Sequence, residues 1–231
     1  MRQTTDGRTV TIMAIAAVAV LLALGLFVAL HPRGRVSCPT GSAAVVFDPG
    51  HGGEDPGAIN EAYGLVEKEL TLEIARRAAD LLRQEGYLVA LTRNDDRTMA
   101  ANSPRGEVAN VCGAGVYVSV HLNAFGDPDP NYVLTLWGIE EKDRAFAATM
   151  QAALATELRP GTDLGDSGLD QLENGGLLTA RMPAVLVEPV FLTNPAEAAR
   201  LGNPDGRRRE QIARAIAAGV AKWFRASEAA S

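Results

Sequence analysis

Residues Ala43–Ala58 read AAVVFDPGHGGEDPGA, and two signals meet in them. The first half, Ala43–Asp48, is a short apolar run with β-branched residues, which predicts a buried strand. The second half is a Gly-rich loop that carries His51 and two acidic residues, Glu54 and Asp55. Outward from this point the chain alternates between the two periodicities. Leu70, Ile74, Ala78, Leu81 and Leu82 recur at helical spacing and stop at Gly86, predicting an amphipathic helix from Glu67 to about Gln84. Leu88–Arg93 reads as the next strand, Pro104–Cys112 as a short helix, and Val116–His121 (VYVSVH) as a third strand ending on a histidine. Tyr132–Trp137 reads as strand. Phe146, Met150, Leu154 and Leu158 define another helix, and Ala184–Val190 (AVLVEPV) another buried strand. A closing helix, about Asp205–Arg225, places Ile212, Ile216, Val220, Trp223 and Phe224 on one face. The Gly- and Asp-rich stretch Pro160–Gly176 reads as loop. Strands that alternate with helices and are apolar on both faces predict an α/β fold with a largely parallel central sheet flanked by helices.

The 231 residues suffice for one domain and an amino-terminal attachment. From Val10 to Leu30 the chain is uncharged and almost wholly apolar, close to the twenty residues that a helix needs to cross a bilayer. The expected organisation is therefore a membrane anchor over residues 1–30, a linker over 31–42 and a catalytic domain over 43–226. His31, Pro32, Arg33, Gly34 and Arg35 follow the apolar run with no small-x-small site. That favours an uncleaved single-pass anchor over a cleaved signal peptide, the alternative being secretion. The formal charge of −6, without a basic stripe, makes nucleic acid an unsuitable partner. The two cysteines, Cys38 and Cys112, can form a disulfide if the domain lies outside the cytoplasm, or can remain two buried thiols.

Of three histidines, His31 belongs to the membrane flank. His51 and His121 both fall at the carboxyl ends of predicted strands, where α/β folds place their active crevice. Two neutral imidazoles and one carboxylate form the three-ligand set that catalytic zinc uses, leaving a position open. Glu67 and Glu69 are the leading carboxylates, with Glu54 and Glu61 in the loop before them, and spacing does not separate the first two. An acidic residue in a first helical turn also stabilises the helix dipole with no metal involved. Glu188 differs because it lies at the end of an apolar strand, where a carboxylate is costly unless paired or beside a metal. It is the candidate general base, the competing role being an ion pair with Arg181 or Arg93.

VVFDPGHGGEDPGA, GLVEKELTLEIA, the pair Thr92–Arg93, RGEVAN, SVHLNA and PAVLVEPVFLTNPAE occur in an order that resembles the Amidase_3 type of zinc N-acetylmuramoyl-L-alanine amidases. The resemblance covers about Ala43–Phe224 and is weak between Phe125 and Arg181. It implies zinc bound by His51, Glu67 and His121, which selects Glu67 over Glu69, with Glu188 as the catalytic glutamate. Arg105 and Asn123 also match, read as a structural residue and a pocket residue. Pro189 and Val190 depart from the pattern and suggest that the strand ends there or lies at an edge. The implied reaction cuts the lactyl–alanine amide of peptidoglycan outside the cytoplasmic membrane. No separate wall-binding module is evident, and a protein activator stays open as a partner.

Overall fold

The computed structural model describes residue 38, residues 44–99 and residues 102–229. Among these residues no helix is long and apolar enough to cross a membrane. The anchor expected over residues 1–30 lies outside them, as does most of the linker.

The main sheet has six strands in the order β4-β1-β5-β8-β6-β7: β1 (Val45–Pro49), β4 (Val89–Leu91), β5 (Val116–Val120), β6 (Tyr132–Trp137), β7 (Gly165–Gln171) and β8 (Ala184–Glu188). β4, β1, β5 and β8 run parallel, with Phe47 opposite Val118 and Val118 opposite Val185. β6 runs antiparallel to β8, and β7 runs parallel to β6. The sheet is thus mixed, with the parallel strands grouped around β1, β5 and β8. A short hairpin, β2 (Ile59–Asn60) and β3 (Leu65–Val66), stands apart and leads into the first helix.

Helix α1 (Glu67–Gln84), α3 (Glu141–Leu158) and α6 (Arg207–Ala229) cover one face of the sheet. Val45, Phe47, Val118, Val120, Val185 and Val187 meet Ile74, Leu82, Phe146, Met150, Ile212 and Ile216 there. Each such side chain, fully removed from water, contributes about 1.5–3 kcal/mol before the entropy of ordering is counted. The alternate residues Val46, Tyr117, Ala184 and Leu186 form a smaller core under α2 (Asn102–Val111) and α4 (Gly175–Thr179). Period-two alternation is what allows one strand to feed both cores. The last short helix, α5 (Pro195–Leu201), begins on Asn194, whose side chain accepts from the amides of Ala196 and Glu197. The disulfide joins Cys38 to Cys112, with Cα atoms 5.3 Å apart, and fastens the entry of the domain to the end of α2.

Two expectations need correction. Pro160–Gly176 is not all loop, because it holds β7 and the start of α4. The sequence of β7, GDSGLDQ, has one large apolar residue, and Gly168 sits at φ 75° beside a register shift opposite Val133/Leu134. An edge strand can be this polar because only one of its sides must pair. Nor is every strand apolar on both faces: β6 alternates between half-buried and buried positions. Pro189 immediately follows the last residue of β8, a central strand, so the proline marks an end and not an edge.

Candidate metal centre and active site

His51, Glu67 and His121 converge, with one potential ligand atom from each lying within 4.8 Å of the others. Three separate elements deliver them. His51 comes from the loop after β1, His121 from the residue that follows β5, and Glu67 from the first turn of α1. Glu67 Oε1 lies 3.0 Å from His51 Nε2 and 3.1 Å from His121 Nδ1. The two imidazoles meet edge to face, with centroids 4.8 Å apart.

The backbone shapes this approach. His51 itself has φ 62°, the one non-glycine with positive φ among the described residues. That left-handed geometry costs free energy for a residue with a Cβ, and it persists only where the surroundings hold it. Arg105 supplies part of that hold. Its guanidinium donates to the carbonyls of His51 (2.8 Å) and Pro49 (3.0 Å) and to Asp48 Oδ1 (2.9 Å). Asp48 is buried and also accepts from Thr92, Tyr117 and Ser119. Arg93, 1% exposed, donates to the carbonyls of Pro49, Gly50, Lys68 and Asp95. Burial, with Arg105 adding to it, draws its pKa down to about 10, so it remains charged at neutral pH. Two buried cations thus hold the loop on their hydrogen bonds. Glycine is required at Gly50 and Gly57 for space: a Cβ at Gly50 would lie 2.4 Å from the His121 ring. One at Gly57 would lie 2.6 Å from His51 and 2.7 Å from Glu67.

Glu67 is 4% exposed, whereas Glu69 faces solvent, as do Glu54 and Glu61. The carboxylate of Glu67 also accepts from the backbone amides of Ala58 (2.9 Å) and Leu122 (3.1 Å). Burial works to raise its pKa, but hydrogen bonds from His121 and His51 outweigh that and hold it far below the usual carboxylate range. For His51 burial disfavours the charged ring, yet the hydrogen bonds and charges of Glu67 and Asp55 raise its pKa above the ordinary value.

Glu188 ends β8. Its neighbour Val187 pairs with Val120 and accepts from the amide of His121 at 3.0 Å, so the register sets Glu188 beside His121 at the same sheet edge. Its Oε2 is out of reach of solvent and without a hydrogen-bond partner. Burial, and next the negative charge of Glu67, push its pKa well above the usual range. The expected alternative of an ion pair does not arise: Arg93 is committed to backbone carbonyls, and Arg181 is exposed. An orphaned carboxylate oxygen beside a His-Glu-His group fits a site that a cation and a water complete. The donor set, two imidazoles and one carboxylate, is one that suits zinc.

Asn123, expected in the pocket, turns its side-chain oxygen to the amide of Ala124, and its backbone bonds Val190 and Leu192. It stitches the exits of β5 and β8 together beneath the site. Reading the sequence missed Asp55, whose Oδ2 lies 2.9 Å from His51 Nδ1. Its only signal was a spacing of four residues within one Gly-rich loop.

Residues 45–222 match the Amidase_3 family, described as N-acetylmuramoyl-L-alanine amidase. The chain is similar to the N-acetylmuramoyl-L-alanine amidase AmiC of Neisseria meningitidis serogroup B, with 32% identity over 226 residues, which cover 79% of this chain and 53% of that protein. It therefore spans about half the length of that curated relative. Among solved structures, N-acetylmuramoyl-L-alanine amidase AmiC2 of Nostoc punctiforme is similar with a TM-score of 0.72 and 30% identity, covering 81% of this chain and 99% of that one. The CwlD amidase from Clostridioides difficile, solved in complex with the GerS lipoprotein, gives a TM-score of 0.68 and 27% identity, covering 79% and 98%.

Proposed function

The chain belongs to the N-acetylmuramoyl-L-alanine amidase family and carries that family's peptidoglycan amidase domain, and from that premise we propose that it hydrolyses the amide between the lactyl group of N-acetylmuramic acid and L-alanine with zinc held by His51, Glu67 and His121. The convergence of those three side chains beside the unpartnered oxygen of Glu188 carries this reading. Zinc, when bound, supplies Lewis-acid polarisation of the scissile carbonyl and lowers the pKa of water at the site. Glu188 acts as general base and then general acid. It takes a proton from the attacking water as the new C–O bond forms, and gives a proton to the alanine nitrogen as the C–N bond breaks. Glu67, held by two backbone amides, keeps its charge and position throughout.

The test is digestion of purified peptidoglycan by the full chain, with products read by mass spectrometry. Stem peptides with a free L-alanine amine are expected, lost with a chelator and restored by zinc. Internal peptide ends instead would make the chain a zinc peptidase of the stem. Intact polymer beside a zinc-loaded chain would point to a missing activator, and the CwlD–GerS complex makes a protein partner the first to try.

We further propose that the domain works outside the cytoplasmic membrane, where its polymer lies, tethered through the apolar run Val10–Leu30. The Cys38–Cys112 disulfide supports an oxidising compartment. Chain isolated with alkylating agent and no reductant is expected to show no free thiol after denaturation. Two free thiols would count against this placement.

A further inference from the structure

We propose that Asp55 is a positioning residue for the metal centre: its carboxylate accepts a hydrogen bond from Nδ1–H of His51 and so aims Nε2 at the place beside Glu67 where the ion would sit. The proposal rests on the reading of His51, Glu67 and His121 as ligands and names a residue that the reaction itself does not use. A histidine ligand must be neutral, with its proton on the nitrogen that faces away from the metal. His51 has a carboxylate at each end of its ring, Glu67 Oε1 at 3.0 Å from Nε2 and Asp55 Oδ2 at 2.9 Å from Nδ1. A carboxylate can only accept, so once Nε2 binds the ion the remaining ring proton sits on Nδ1 and donates to Asp55; without the ion Glu67 accepts from Nε2 as Asp55 accepts from Nδ1.

Asp55 is itself fixed. Its Oδ1 accepts from the amide of Gly57 at 3.1 Å, and its backbone exchanges two hydrogen bonds with Gly52, at 2.9 and 3.2 Å. Swinging the carboxylate away would forfeit the Gly57 hydrogen bond together with the one to His51. The backbone of His51, in its left-handed conformation, is pinned from beneath by Arg105, while Asp55 pins the ring from the outer side. His121 is held differently, by packing of its ring against Gly50, where even a Cβ would intrude. Both imidazoles meet Glu67, and His51 is the one that also meets a second carboxylate. The Asp55 side chain is 62% exposed, so its contribution is screened by water and belongs at the lower end of the range for such partners.

The experiment measures zinc affinity of the full chain by competition with a chromophoric chelator, for the parent, Asp55→Ala and Asp55→Asn. In parallel, imidazole NMR of the zinc-loaded chain reports the Nδ1–H of His51 and its hydrogen bond, which is tractable with three histidines in the sequence. Asp55→Ala is expected to weaken zinc binding about 10-fold and to move the Nδ1–H resonance of His51, which loses its carboxylate partner. Asp55→Asn retains one oxygen, which can accept from Nδ1–H of His51 only by giving up the amide of Gly57, and is expected to recover part of the affinity. Unchanged affinity or an unchanged Nδ1–H resonance in Asp55→Ala, beside a parent that binds zinc, would overturn the role of Asp55 alone. A parent that binds no zinc would overturn the metal reading and this proposal with it.

Discussion

Glu188→Gln is expected to leave zinc bound and to slow amide hydrolysis about a hundred- to ten-thousandfold, the contribution typical of a positioned proton-transfer group. Glutamine keeps the size of the side chain and its place at the end of β8, so the strand register with Val120 and Leu134 is preserved. It removes the atom that can carry a proton from water to the leaving amine. Metal content measured beside the rate distinguishes this from loss of the site: a variant with parental zinc and parental turnover would remove Glu188 from the mechanism. Stability offers a second readout. Burial and the charge of Glu67 raise the pKa of Glu188 in the folded, metal-free chain. Between the ordinary carboxylate pKa and that raised value the native state holds a proton that the unfolded chain releases, so stability falls as pH rises through that window. Glutamine does not titrate. Urea unfolding of chelator-treated chain is therefore expected to show the variant gaining stability over the parent from pH 5 to pH 8. Equal differences at both values would show that Glu188 is not a buried acid.

Glu67→Ala is expected to abolish stoichiometric zinc binding and, with it, detectable turnover. The same change also affects folding, because the carboxylate accepts from the amides of Ala58 and Leu122. Leaving a buried donor unpaired costs about 1–3 kcal/mol, so the metal-free variant is expected to unfold at distinctly lower denaturant than the parent. Glu67→Gln is expected to fall between the parent and Glu67→Ala: its single amide oxygen can accept from only one of the amides of Ala58 and Leu122, which bond different oxygens of the carboxylate, and the lost charge weakens the metal site. Retention of parental zinc stoichiometry by Glu67→Ala would show that the ion sits elsewhere.

Much of the architecture was present in local patterns. The apolar runs Val45–Asp48, Val116–Val120 and Ala184–Val187 are strands because β-branched residues pack well on a pleated surface buried on both faces. α1 followed from helical spacing of Leu70, Ile74 and Ala78. β7 did not, since an edge strand made of Gly, Asp and Ser has neither periodicity nor bulk, and its pairing with β6 is the only thing that defines it.

The site divides in the same way. That His51 and His121 fall at strand ends is a local fact, and so is the cost of placing Glu188 in an apolar strand; both were determined by the sequence alone. Which glutamate completes the group was open on spacing, because Glu67 and Glu69 share one helical turn, and only the resemblance to a family separated them. The tertiary structure decides it physically: the β2–β3 hairpin delivers α1 so that Glu67 meets two backbone amides and two imidazoles, while Glu69 faces water. Asp55 likewise became visible only once the loop closed on itself. Periodicity records which side of an element is buried, but the contacts that carry Glu67, at the start of a helix, to His121 and Leu122 span 54 and 55 residues of chain, and no local pattern encodes those.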